Sequence, residues 1–255
     1  MNEYNPIQRQ AEKRALIKRL VTGVVLLTVI AIVFTIFYAL AMKKNKVSFD
    51  FENVNLVQLQ EPQEGQEMAI VKTSLGDFSF VLYRDYAPNT VAKFVDRVNA
   101  GEYENRYVNV VQDGVYFIAG GDIDGNYEGE KKKSDLIKNE YSADLWPFKG
   151  AICSISAKDG YGGFRFIGVN SVEYTEEFIG EMRSVGGNED ILNGFIDNGG
   201  VPNFSQQYTV FGQVVSGMDV FEAISKVAVT DEENLKPAED VIIYSITMGE
   251  YKKAE

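Results

Sequence analysis

Hydrophobic positions along the chain fall into two regimes. Residues 20–42 run for 23 positions without one charge (LVTGVVLLTVIAIVFTIFYALAM). As a helix rising ~1.5 Å per residue, that run would be about 34 Å long, enough to cross a ~30 Å hydrocarbon core. From residue 68 onward apolar residues come in short bursts instead. Residues 68–72 and 78–83 are apolar-rich and joined by Thr73-Ser74-Leu75-Gly76-Asp77, the pattern of a β-hairpin. Pro88 then opens a helical period, with Val91, Phe94, Val95 and Val98 on one face and Gly101 closing it. Further strands are predicted at 107–111, 115–119, 151–156, 165–169 and 208–214, and a last one at 241–248. A second helix fits 218–227, with Val220, Phe221, Ile224 and Val227 on one side. Many short strands with two interspersed helices predict a mainly β domain, a closed antiparallel barrel capped by helices rather than a βαβ sheet. Residues 172–204 interrupt this rhythm as an insertion, with a helical pattern over 175–183 and glycine pairs at 186–187 and 199–200.

Charge divides the chain at the same place. Residues 1–46 carry eight Lys or Arg against Glu3 and Glu12, whereas the whole chain has a net charge of −12. The body beyond residue 46 is therefore strongly acidic, which disfavours phosphate backbones and excludes nucleic acid as an expected partner. Five basic residues precede the apolar run and three follow it (Lys43, Lys44, Lys46), so the N-terminus is expected on the cytoplasmic side. Ala39-Leu40-Ala41 has the small-x-small form of a signal-peptidase site, but the apolar run exceeds a signal h-region of ~7–15 residues and favours an uncleaved anchor. The expected organisation is a cytoplasmic tail (1–19), a single-pass transmembrane helix (20–42), a tether (43–67), an extracytoplasmic domain (68–250, with 172–204 inserted) and a short tail (251–255). The bilayer is thus an expected partner through 20–42, and the expected location is the cell membrane.

Composition removes much chemistry. There is no histidine, so no imidazole base, ligand or pH switch is available, and Cys153 is the only cysteine, so no intramolecular disulfide or C-x-x-C pair exists. Asp122-Ile123-Asp124-Gly125-Asn126-Tyr127-Glu128 alternates calcium-type ligands but has Tyr127 at the glycine position and Lys133 where a bidentate glutamate belongs, so it reads as a solvated loop. Gly160-Tyr161-Gly162-Gly163 lacks the Lys-Ser/Thr of a phosphate cradle. Lys131-Lys132-Lys133 reads as a solvated face. No metal or cofactor is expected.

Five phrases, in order over 68–250, resemble the cyclophilins, the barrel family of peptidyl-prolyl cis-trans isomerases. They are Thr73-Ser74-Leu75-Gly76; Ala87-Pro88-Asn89-Thr90-Val91 followed by Lys93-Phe94-Val95; Ala119-Gly120-Gly121-Asp122; 210–215 (VFGQVV); and Gly217-Met218-Asp219-Val220. The resemblance implies an eight-stranded barrel with two capping helices, proline-containing polypeptides as partners, and isomerisation of X–Pro bonds in exported proteins. That reaction must overcome a barrier of ~18–20 kcal/mol set by amide resonance. It needs an apolar slot for the proline ring and a donor to the prolyl nitrogen as it pyramidalises.

In the family the donor is an arginine following Phe-His, oriented by a glutamine, beside a slot of phenylalanine, methionine, leucine and histidine bordered by tryptophan. Carried onto this chain, Phe-His-Arg falls on Tyr107-Val108-Asn109, so Asn109 stands in the arginine's place. The glutamine falls on Ala119, the tryptophan-leucine pair on Asn203-Phe204 and the slot histidine on Tyr208. Phe166 keeps the slot phenylalanine, and the methionine falls on Ile155, or on Ser154 under a one-residue shift. Two extra residues lengthen the loop around 112–115. Of the nearby arginines, Arg106 is expected in solvent and Arg165 on the strand face opposite Phe166. Losing a charge-assisted hydrogen bond costs ~1.5–3 kcal/mol, about 10- to 100-fold in rate. The expected function is therefore an anchored foldase with weak or lost isomerase activity; the alternatives are a non-catalytic peptide-binding chaperone or assembly module, and a structural partner of another membrane protein.

Overall fold

A computed structural model describes residues 53–123, 135–231 and 235–253. The apolar run 20–42 and the triple lysine at 131–133 lie outside the described residues, among which no helix is long and apolar enough to cross a membrane.

The first apolar bursts form β1 (Glu67–Thr73) and β2 (Gly76–Leu82), paired antiparallel as a hairpin. The Thr73 hydroxyl donates to the Gly76 carbonyl at 2.7 Å and accepts from the Leu75 N–H at 3.1 Å, closing the turn. Helix α1 (Pro88–Asn99) follows, burying Val91, Phe94 and Val98. Its N-cap, Ala87, has no side chain to cap with. Glu140, fifty residues on, does that work: its carboxylate accepts from the Thr90 N–H (2.8 Å) and hydroxyl (2.7 Å) and from the Asn89 N–H (3.1 Å).

The remaining elements are β3 (Arg106–Gln112), β4 (Tyr116–Gly121), β5 (Ile137–Lys138), β6 (Ala151–Ser154), β7 (Tyr161–Gly162), β8 (Phe166–Val169), α2 (Glu176–Val185), α3 (Glu189–Asn198), β9 (Thr209–Ser216), α4 (Met218–Ser225), β10 (Val229–Asp231), β11 (Lys236–Pro237) and β12 (Ile242–Glu250). Eight strands close a barrel in the order β1-β12-β3-β4-β8-β6-β9-β2, every neighbour antiparallel. Closure leaves no sheet edge to template aggregation. The predicted mainly β barrel with capping helices α1 and α4 is thus present. Gly217, at φ +72°, starts α4 where a Cβ would come within 2.3 Å of the Asp77 carbonyl, so only glycine lets the helix approach β2.

Inside the barrel, Phe80, Phe117, Phe166, Phe211 and Phe221 are all at most 2% exposed and pack with the inward sides of both helices. Differences from expectation lie outside that core. Residues 53–66, expected as tether, pack on the barrel: buried Gln58 donates to Gln213 Oε1 (2.8 Å) and accepts from the Trp146 N–H (2.6 Å). The insertion contains two helices, not one. Together with Trp146 and Phe148 it builds a third apolar cluster around Ile191 and Phe195, against which Val54 and Leu56 rest.

Candidate active site

Strands β4 and β8 carry Ala119 and Phe166, Ile155 and Tyr208 adjoin β6 and β9, and the register of these four strands decides which way each points. Ala119 pairs with Phe166, Phe166 with Ser154, and Ser154 with Thr209. That row faces the barrel interior, with Ala119 fully buried, Phe166 1% exposed and the Tyr103 ring 6.2 Å from that of Phe166. One residue along, Ile118 pairs with Ile167, Ile167 with Cys153, and Cys153 with Val210. This second row lies on the outside of the barrel, where Ile155, Tyr116, Phe204 and Tyr208 pack over it.

The structure therefore splits the expected slot. Ile155, Phe204 and Tyr208 come together on the outer face, but Ala119 and Phe166 do not join them. Since side chains alternate across a strand, a one-residue slip in alignment moves a residue to the opposite face. The outward neighbours, Ile118 and Ile167, hold the positions facing the groove. Those two and Tyr116 were absent from the expected set; the alternation of 116 and 118 against 117 and 119 is the signal that singles them out.

The outer face is filled rather than hollow. Phe204 lies on the 3-10 turn Pro202–Phe204 and packs edge-on against Tyr116 (5.3 Å) and Tyr208 (5.1 Å). Beneath the rings, Cys153, Ile167 and Val169 are at most 1% exposed. Burial pushes the Tyr116 and Tyr208 hydroxyls and the Cys153 thiol to higher pKa, keeping all three neutral near pH 7. The cavity at Tyr208 holds only about 10 Å³, room for about one water. Asn203 is exposed, its carbonyl accepting from Gln207 Nε2 at 2.7 Å. Asn139 fastens the other end of this loop, donating from Nδ2 to the Gln207 carbonyl at 2.7 Å. Thr209 adds a tie by accepting from the Glu140 N–H at 2.9 Å.

Asn109, at the arginine's position, is the extra residue of a β-bulge between Val108 and Val110. Its Nδ2 donates to the Asp122 carbonyl at 2.7 Å, and its side chain fills the space a Cβ on Gly121 would need. Its Oδ1 is buried with no hydrogen-bond partner. The one group able to donate at this position thus has a hydrogen bond directed into the Gly120-Gly121-Asp122 turn. Tyr107 is half-buried beside it, paired with Gly121 and Ile242. Arg106, expected in solvent, is instead ion-paired with Asp122, donates from Nε to the Glu102 carbonyl at 2.8 Å and lies 5.4 Å over the Phe164 ring. A guanidinium so engaged is part of the scaffold. Arg165 is half-buried. Among the described residues no cluster of carboxylates and thiolates could hold a metal ion.

The eight-stranded antiparallel barrel with two capping helices and an apolar outer face over β4, β8, β6 and β9 defines a class of closed, helix-capped β-barrels. The model of the family "Cyclophilin type peptidyl-prolyl cis-trans isomerase/CLD" matches residues 68–248, and the chain belongs to that family. A protein of Staphylococcus haemolyticus assigned as a peptidyl-prolyl cis-trans isomerase is 31% identical over 189 residues, covering 73% of this chain and 93% of that one. A Staphylococcus aureus protein assigned likewise is 28% identical over 193 residues, covering 75% of this chain and 96% of its own. Among solved structures, a Cryptosporidium parvum cyclophilin-type isomerase in the presence of the dipeptide Ala-Pro superposes with a TM-score of 0.54 at 18% identity, covering 71% of this chain and 98% of that one. A second structure of that parasite protein gives 0.55 at 18% identity, covering 74% and 99%. These superpositions establish the shared fold.

Proposed function

We propose that this protein is a membrane-anchored, extracytoplasmic cyclophilin whose barrel face engages X–Pro segments of exported proteins with weak or no isomerase activity. One observation carries the reading of the activity: the position of the family's arginine is an asparagine whose amide donates to the Asp122 carbonyl at 2.7 Å. With one of its two N–H groups committed to that carbonyl and no positive charge, this amide is a weaker donor to a bound prolyl nitrogen than the family's guanidinium. The packed Phe204 and Tyr208 rings support the same conclusion, since a proline ring needs a slot they occupy. The anchor rests on the apolar run 20–42 and the charge on either side of it.

A second reading, a non-catalytic peptide-binding chaperone or assembly module, is favoured by the same two rings together with Tyr116. Aromatic side chains bind extended polypeptide without needing a charged donor. Exchange NMR on residues 47–255 with a panel of short X–Pro peptides separates the two. Accelerated exchange that falls on Asn109→Ala supports catalysis. Shifted peptide resonances at an unchanged rate support the binding module, and unshifted resonances at an unchanged rate contradict both.

A further inference from the structure

Helices α2 and α3 of the insertion, with Trp146 and Pro202, line a cavity of about 390 Å³. Its floor is apolar: Trp146, Met182, Ile191, Leu192 and Phe195 line it, with the Trp146 and Phe195 rings 6.3 Å apart. Helix α2 is amphipathic, yet none of its ten residues is buried, and Val185 at its end is 86% exposed. Trp146, Ile191 and Phe195 are largely buried in the floor, but half-buried Met182 and Leu192 and exposed Val185 leave apolar surface open to water, which is costly unless something covers it.

Two features of the groove describe what covers it. Gly186 and Gly187 join the helices at φ +75° and +135°, and a Cβ at either would meet nothing within 4 Å. They are needed for the turn itself, which leaves the space between the helices clear of side chains. The insertion around the groove is acidic: residues 172–204 hold seven carboxylates against a single cation, Arg183, which itself lines the cavity. Glu189 reaches the cavity itself, and exposed Glu181 and Asp190 flank it.

From this charge complementarity we propose that the α2–α3 groove is a second polypeptide-binding site, which takes an unfolded segment whose apolar side chains alternate with lysine or arginine. The apolar side chains enter between Trp146, Ile191 and Phe195, and the cations meet Glu181, Glu189 and Asp190. Such a site holds a client independently of proline, and the 3-10 turn Pro202–Phe204 connects it to the barrel face, with Pro202 lining the groove and Phe204 packing on Tyr116.

Trp146 is the only tryptophan in the chain, so its emission reports the groove. The test titrates the full-length protein, in nanodiscs of zwitterionic lipid, with a proline-free twelve-residue peptide alternating leucine and lysine. Saturable change in Trp146 emission is expected. Replacing the lysines by glutamate or the leucines by serine should weaken binding by about tenfold or more. The double variant Glu181→Lys with Glu189→Lys, both at exposed positions, should weaken it at least about fivefold with an unchanged circular dichroism spectrum. No emission change, equal binding of the glutamate peptide, or indifference to the double variant would overturn the proposal. So would an emission change on dilution alone, which assigns the groove to a second copy, or on deleting residues 1–46, which assigns it to the chain's own basic segment. Because the probe lacks proline, the outcome does not depend on whether the barrel face isomerises anything.

Discussion

The two faces of β4, β8, β6 and β9 are built from the same four strands and alternate residues, yet they do different work. The inner row, Ala119-Phe166-Ser154-Thr209, is locked into the barrel by Phe117, Phe211 and the helix α1. The outer row, Ile118-Ile167-Cys153-Val210, is roofed only by a loop whose rings, Phe204 and Tyr208, are partly exposed. The inner face sets stability, and in the proposed function the outer face is the one that meets polypeptide. A fold can therefore keep its scaffold intact while its groove changes chemistry.

The sharpest way to break that division is to truncate one residue on each face. Phe166→Ala should cost ~3–5 kcal/mol of unfolding free energy in denaturant titrations, as for other buried phenylalanines. It should leave the affinity of the folded protein for X–Pro peptides unchanged. Glu140→Ala removes the carboxylate that caps α1 from a distance and should cost about 1–2 kcal/mol. It should leave the 204–209 loop's amide exchange unchanged, because the tie to Thr209 comes from the backbone N–H of residue 140, which alanine keeps. Phe204→Ala should cost only about 1 kcal/mol, since the ring is partly exposed, and should strengthen X–Pro peptide binding by opening the outer face. Unchanged or weaker binding would mean that Phe204 is a contact and not a cover.

The smallest expected effect is electrostatic and belongs to neither face. Lys149 Nζ sits 2.5 Å from Glu222 and Lys226 3.3 Å from it, and these hydrogen bonds hold the Glu222 carboxyl below the usual range despite its partial burial. A carboxyl depressed in the folded state stabilises above its unfolded pKa of about 4.3, and that stabilisation is lost as pH falls through the folded value. Glu222→Gln should therefore lower stability by less than ~1 kcal/mol at pH 7, and the difference should vanish as pH falls through the folded carboxyl's titration, measured by thermal unfolding across pH.

Period-2 and period-3.6 patterns placed all eight barrel strands and both caps, because each element buries one face against a single core. Alternation alone also identifies Ile118 and Tyr116 as facing away from Phe117 and Ala119, but only once the register of the barrel is known. Ala119 was expected in the slot from its place before Gly120-Gly121-Asp122 and Phe166 from its ring; the face that each occupies follows from the pairing of Ala119 with Phe166 across β4 and β8, which has no local sequence signature. Helix α3 was missed because Gly194 interrupts its pattern and it follows directly on the Gly186-Gly187 turn, although Asn188 caps it by accepting from the Asp190 (2.8 Å) and Ile191 (3.1 Å) N–H groups. The packing of 53–66 depends on Gln58, a polar residue buried through contacts with residues 146 and 213. Such long-range satisfaction has no local sequence cue.

The central claim is that polypeptide meets the outer row of the barrel and not the inner one. Isoleucine methyl NMR during titration with a short Ala-Pro-containing peptide tests it most directly, because both faces carry isoleucines. The account predicts shifts at Ile118, Ile155 and Ile167 while Ile152 and Ile243, inside the barrel, stay fixed. Shifts at Ile152 and Ile243 with a silent outer row would contradict it.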